Sequence, residues 1–386
     1  MTGLLLALIY LCFVSLGLPD SLLGSAWPVM QIEMSAPVSY AGIISLTICA
    51  GTILSSLFSD RLLRRFGAGK VTAISVVMTA VALFGFSVSD RFWMLILWSV
   101  PYGLGAGAVD AILNNYVALH FKAQHMSWLH CMWGVGASIS PYIMSFALIR
   151  LNDWNWGYLI VAIIQILLSA VIFASIPLWK RGISASADTT KESSHTLSFK
   201  EIFSIKGAIP CFIAFFTYCS LELTTSLWAS SYLTQKWGFS PEDAAGFASM
   251  FYIGITVGRF ANGFLAMRFS DKRLIRIGMG IIATGIVMLL LPFHHMFALV
   301  GFVIVGLGCA PIYPCIIHMT PSVFGEERSQ AMIGVQIAFA YTGFIISPTL
   351  FGIIAEHISI SLLPLFQIIL LVCMLVTHEM VVRRKS

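Results

Sequence analysis

Gly103-Leu104-Gly105-Ala106-Gly107-Ala108-Val109-Asp110-Ala111-Ile112-Leu113-Asn114-Asn115 is the stretch whose reading settles what kind of chain this is. It lies inside an apolar run too long for a strand, and its single charge stands among small and branched residues. Small residues at this density let helices approach closely where water is absent. A charged side chain at the centre of a bilayer costs roughly 2.5–3.5 kcal/mol on insertion scales, so an acid retained there points to function. Asn114, one helical turn after Asp110, presents an amide on the same face. Gly-Leu-Gly then returns at Gly306-Leu307-Gly308, 203 residues further on.

Around this stretch the whole chain is apolar. Of 386 residues, 58% are hydrophobic and only 10% charged, with a mean hydropathy of +0.90. A helix crosses the roughly 30 Å hydrocarbon core with about 20 residues. Twelve such runs are countable, at 4–27, 38–58, 71–89, 92–118, 128–150, 157–179, 207–233, 244–267, 277–293, 296–319, 331–355 and 360–380. They are continuous, without the alternation of a barrel strand, and in lipid such runs satisfy their backbone groups only as helices. The expected fold is an all-α membrane protein. Twelve is even, so both termini share a side. One set of loops carries eighteen Lys and Arg; the opposite set carries Arg91, Arg150 and Lys236. The positive-inside rule places both termini in the cytoplasm, and the short loops suit a bacterial inner membrane.

The net charge of +5 is therefore a topology signal. The basic residues are scattered over six loops, which excludes a nucleic-acid face. The first span starts at Thr2, without a charged leader region, and reads as a retained helix. All eight cysteines fall inside spans and form no CxxC pair, so neither disulfides nor a thiolate metal site are expected. No P-loop or nucleophile–base pattern occurs; no enzyme activity, cofactor or metal is expected.

The longest hydrophilic stretch, 180–206, has a linker's composition and separates six spans (1–179) from six (207–386). The halves echo each other. Gly51 matches Gly258, and Gly136 with Ser140-Pro141 matches Gly343 with Ser347-Pro348, both at an offset of 207. Two pseudo-symmetric six-helix bundles follow, an architecture that puts the substrate site near the midplane at the repeat interface. The loop Ser56-Leu57-Phe58-Ser59-Asp60-Arg61-Leu62-Leu63-Arg64-Arg65 resembles the signature between helices 2 and 3 of the major facilitator superfamily, with Ser56 and Leu63 in place of its glycines. The resemblance covers the whole chain. It implies alternating access, with Asp60, Arg61 and Arg65 gating the cytoplasmic side.

Three acids stand inside spans. Asp110 is one; Asp20 follows Gly17-Leu18-Pro19, where the helix can bend; Glu222 lies in Leu221-Glu222-Leu223-Thr224-Thr225. Dehydration favours the neutral form of a carboxyl group, which lets such an acid take up and release protons. Asp20 late in helix 1 and Asp110 with Asn114 in helix 4 resemble the L-fucose/proton symporter group, although Asp replaces that group's Glu in helix 4. The resemblance makes Asp20 and Asp110 the protonatable pair and puts Asn114 and Asn115 near the sugar.

Sugars are held by aromatic faces and convergent hydrogen-bonding groups. His130, Trp133, Tyr218, Glu222, Trp228, Tyr313, Gln336 and Tyr341 are candidates to line the site; His130 also fits an interhelical hydrogen bond. Trp27, Trp154, Trp156, Trp179 and Trp237 fit an interfacial belt. Arg259, the one base inside a span, either meets an anionic substrate, balances Glu222 or snorkels outward. The expected protein is a monomeric secondary transporter that takes up a sugar or polyol with protons. Efflux of drugs or lipophilic metabolites and coupling to sodium are the alternatives.

Overall fold

The computed structural model describes residues 2–37, 40–184, 197–239, 241–291 and 294–383. The middle of the expected linker, 185–196, lies outside them. Each apolar run folds as helix. The first half forms α1 (Thr2–Asp20), α2 (Leu22–Glu33), α3 (Tyr40–Leu57), α4 (Ser59–Phe66), α5 (Ala68–Ser87), α6 (Phe92–His120), α7 (Ala123–Phe146) and α8 (Asn155–Ser184). The second forms α9 (Phe199–Ser204), α10 (Ala208–Trp237), α11 (Pro241–Leu265), α12 (Asp271–Leu290), α13 (His295–Cys309), α14 (Ile312–Phe324), α15 (Glu326–His357) and α16 (Leu363–Arg383). Among the described residues there is no strand, and eleven helical stretches are long and apolar enough to cross a membrane. α11 stands where the eighth span was expected.

Two spans are broken rather than continuous. The first divides at Ser21 into α1 and α2, next to Pro19, and the tenth divides at Ala310-Pro311 into α13 and α14. A proline removes the amide that would bond the carbonyl four residues earlier, and in hydrocarbon that carbonyl needs a new donor. Pro19 releases the Ser15 carbonyl, which accepts from the Gln165 amide of α8. Pro141 in α7 releases the Ala137 carbonyl, which accepts from Ser21 Oγ at 2.6 Å. At the tenth-span break the Cys309 carbonyl accepts from Tyr218 Oη at 3.0 Å.

By packing, the chain forms two units. One comprises Met1–Tyr116 and Leu129–Thr196; the other comprises Val117–Trp128 and Leu197–Ser386. The sequence echoes are packing contacts repeated within each unit. A side chain at Gly136 would fall on the Val14 carbonyl of α1, and one at Gly343 on the Phe216 carbonyl of α10. Beside them the hydroxyls of Ser21 and Ser140 meet at 3.1 Å in the first unit, as do those of Thr224 and Ser347 at 3.0 Å in the second. The repeat thus preserves a close helix crossing and a hydroxyl pair that secures it.

Three of the five tryptophans expected at the membrane interface are instead buried in the first unit. Trp27, Trp154 and Trp179 are all enclosed, and Trp154 donates to Glu33 at 2.6 Å. Position near a span end did not distinguish a lipid-facing indole from one turned inward. Trp156 is exposed.

The glycine contacts predict a paired result. Gly136→Ile and Gly343→Ile each overfill a crossing and lower the thermal unfolding midpoint of the detergent-purified protein, at a cost of roughly 1–3 kcal/mol. Gly280→Ile, where an added Cβ meets nothing within 4 Å, leaves the midpoint unchanged.

Candidate functional site

In the first unit the break at Ser21 makes Asp20 the last residue of α1. The residue as a whole is exposed, and neighbouring helices engage both carboxylate oxygens. Tyr102 Oη of α6 donates to Oδ1 at 2.9 Å, and Trp133 Nε1 of α7 donates to Oδ2 at 2.8 Å. Asp110, half-buried on α6, lies within electrostatic reach of Asp20. Asn114 Nδ2 donates to Asp110 Oδ1 at 2.7 Å and to the Asp110 carbonyl at 3.0 Å. That orientation turns Asn114 Oδ1 toward His130 Nε2, 3.0 Å away. A carbonyl oxygen only accepts, so His130 carries its proton on Nε2.

The result is a graded chain. His130, 6% exposed and edge-on to Phe13, bonds the fully buried Asn114, which bonds the half-buried Asp110. Among the described residues neither Asp20 nor Asp110 has a cationic partner within ion-pair distance. Two uncompensated carboxyl groups therefore face a set of neutral donors. Asn115, placed beside the sugar by resemblance, is 3% exposed and turned into the unit.

The second unit treats its acid differently. Glu222 Oε1 meets Arg259 Nη2 at 3.3 Å, with the two side chains only 15% and 6% exposed. Of the three roles open to Arg259 in the sequence, balancing Glu222 is the one the structure displays. Tyr218 and Tyr313 pack edge to face at 6.3 Å, and the charge of Arg259 reaches both.

The remaining candidates lie elsewhere in this unit. Gln336 is fully buried, bonded to Thr320 and to the Cys211 sulfur, each at 3.1 Å. Trp228 donates to the Pro348 carbonyl at 3.0 Å. Tyr341 packs its ring on Phe344 at 5.5 Å. The gating candidates belong to the first unit, on α4, where Asp60 is buried and bonded twice by Arg64 Nε, at 3.0 and 3.1 Å, while Arg61 and Arg65 are exposed.

Two groups escaped the sequence reading. Tyr102 was not singled out, although a tyrosine inside a span needs a partner for its hydroxyl. Asp271, between the expected spans, accepts a 2.7 Å hydrogen bond from His318 Nδ1, whose Nε2 stands 3.4 Å from the Phe121 carbonyl. Both ring nitrogens face acceptors, so both bonds form together only on the protonated ring. Nearby, Asn262 Nδ2 donates to Ser127 Oγ at 2.7 Å and Trp128 stands edge-on to Phe264 at 5.6 Å. These contacts fix the turn Val117–Trp128 within the second unit.

Acids retained among polar groups inside the spans of an all-helical membrane protein fit the class of transporters. Residues 9–228 and 210–385 match the profile of the Major Facilitator Superfamily, and the chain belongs to that family. Its function is secondary transport of a small molecule across a lipid bilayer. Similar proteins include Bypass of stop codon protein 6 of Saccharomyces cerevisiae, 24% identical over 92% of this chain and 77% of the relative. The cis,cis-muconate transport protein of Acinetobacter baylyi is 23% identical over 86% and 83%. The glucose/mannose transporter GlcP of Bacillus subtilis is 20% identical over 89% and 86%. Among solved structures, FucP, the E. coli fucose:proton symporter, aligns in its outward conformation with a TM-score of 0.78 at 15% identity, over 99% and 98% of the two chains. The proton:xylose symporter XylE aligns at 0.79 with 12% identity, over 97% and 94%. At these identities the structures share the fold.

Asp271→Asn weakens the hold on the turn. A charge-assisted hydrogen bond contributes about 1.5–3 kcal/mol, so amide hydrogen exchange across 117–128 should accelerate about tenfold or more. Exchange in α5 stays unchanged; equal acceleration in both segments would indicate general loosening instead.

Proposed function

We propose that this chain takes up a sugar or polyol together with protons, and that Asp20 and Asp110 carry the coupling. The observation that supports the reading best is the lack of a cationic partner for either acid among the described residues. A half-buried carboxylate without a counter-ion, as Asp110 is, is costly, and a proton is the smallest cation that removes the charge. Glu222, already matched by Arg259, is the weaker candidate for that role. Exposed Asp20, with the Trp133 indole and the Tyr102 hydroxyl at its oxygens, provides the acceptor, aromatic face and donor that a polyhydroxylated ligand needs. The Asp110–Asn114–His130 chain supports Asp110 from behind.

In this reading the six spans of 1–179 and the six of 207–386 are repeats joined by the linker 180–206, and both termini are cytoplasmic. The protein works as a monomer. Asp60, Arg61, Arg65 and Arg259 take part in the conformational cycle, during which Asp20 and Asp110 are exposed to each side of the membrane in turn. The muconate relative raises an organic anion as cargo. Arg259 is the residue to receive one, and Glu222 already neutralises it. That favours a neutral substrate.

A thermal-shift screen of the purified protein against fucose, glucose, xylose, mannitol, muconate and a fluoroquinolone, at acidic and neutral pH, identifies the class. A ligand that binds only the native state raises its apparent stability. A stabilising sugar or polyol is then offered to proteoliposomes under an imposed proton gradient. The expected result is accumulation in the wild type, and exchange without accumulation in Asp110→Asn. Stabilisation by muconate or the fluoroquinolone alone, or accumulation that follows a sodium gradient at fixed pH, rejects the reading.

A further inference from the structure

The short helix α4 is strongly amphipathic, with Asp60 in its first turn and Arg64 and Arg65 in its last. Opposite charges at the two ends suit the helix dipole, but they do not explain the apolar face between them. Leu62 and Phe66 on that face close one end of a groove of about 370 Å³. Leu54 and Phe58, Ile74 of α5 and Leu104 of α6 form its other walls. Along α5 it runs from Val71 to Met78, about 10 Å at 1.5 Å per residue. Leu54, Phe66 and Ile74 are exposed, so the groove opens on the outer surface of the first unit.

Its rim is basic. The Arg61 guanidinium lies 5.2 Å from the centre of the Phe58 ring, and that of Arg65 lies 5.3 Å from the Phe66 ring. Both rings line the groove, so cation–π contacts hold two guanidinium groups at its mouth. Arg64 is committed to Asp60. Among the described residues no carboxylate pairs with Arg61 or Arg65.

An apolar channel deep enough for part of a fatty-acyl chain, ending beneath two arginines, selects for one chemistry. We infer that this groove binds an anionic phospholipid, its acyl chain between α3, α5 and α6 and its phosphate on Arg61 and Arg65. Guanidinium groups bind phosphate oxygens through two parallel N–H donors, which a solvated lysine cluster does not do. The arginines distinguish anionic from zwitterionic lipid, because two positive charges meet one net negative headgroup. The groove distinguishes a lipid from a soluble phosphate, which leaves the apolar walls uncovered. A lipid seated there bears directly on α4, the helix that carries the gating residues.

Native mass spectrometry of the full chain tests this with equal amounts of phosphatidylglycerol and phosphatidylcholine of matched acyl chains. The wild type is expected to retain phosphatidylglycerol several-fold over phosphatidylcholine. Arg61→Gln combined with Arg65→Gln brings the ratio close to one. Ile74→Trp, at an exposed wall position, fills the groove and reduces both adducts. Lys200→Gln with Lys206→Gln, exposed basic residues within and just after α9, leaves the ratio as in the wild type. No preference in the wild type, or an equal loss in the lysine pair, overturns the proposal, the latter by showing that any basic loop suffices. Should the double arginine variant unfold, an undiminished phosphatidylglycerol adduct in Ile74→Trp overturns it independently.

Discussion

Hydrocarbon offers no hydrogen-bond partner, and the breaks in the first and tenth spans are organised around that fact. Pro19 and Pro141 each strand a carbonyl. Gln165 serves the one released by Pro19, and Ser21 serves the one released by Pro141. Tyr218 caps the Cys309 carbonyl at the break in the tenth span. Bends and breaks are thus secured by side chains from other helices of the same unit. Asp20 owes its position to this arrangement, since it ends α1 where Ser21 is tied to α7.

The two units resolve the placing of an acid within apolar surroundings in opposite ways. In the second, Glu222 and Arg259 form a nearly enclosed pair, and the aromatic rings of Tyr218 and Tyr313 pack beside it. Breaking such a pair leaves one charge stranded, a costly change that tends to keep the arrangement fixed. In the first unit Asp20 and Asp110 meet only neutral donors, so their charge is stabilised by oriented dipoles and not by a counter-ion. Dipoles of this kind accommodate a change of protonation with small movements of O–H and N–H groups. A matched ion pair does not.

Much of this is readable in the sequence because the membrane restricts the possible answers. Twenty apolar residues make one crossing, so the helices fall within a few residues of the expected spans. The glycine and Ser-Pro echoes correspond to real crossings because only glycine fits where a carbonyl sits at Cβ distance. Asp110 and Asn114 are one turn apart, and local spacing is enough to pair them. Partners distant in the chain are not legible in this way. Tyr102 and Asp20 are 82 positions apart and His318 and Asp271 are 47, with no periodicity to connect them. Burial is equally hidden. Gln336 is a polar residue in a span, as a ligand contact would be, yet it bonds Thr320 and Cys211 inside the core.

The turn Val117–Trp128 has a consequence for how the molecule is made. It belongs to the second unit but is synthesised with the first, and Asn262 and Phe264 follow Trp128 by more than 130 residues. At about 5–20 residues per second, the ribosome takes roughly 7–27 s to deliver them. Throughout that interval the nascent chain displays Ser127 and Trp128 without the partners that α11 supplies. Biogenesis therefore includes an interval in which this segment exists without the later side chains that hold it in the finished protein.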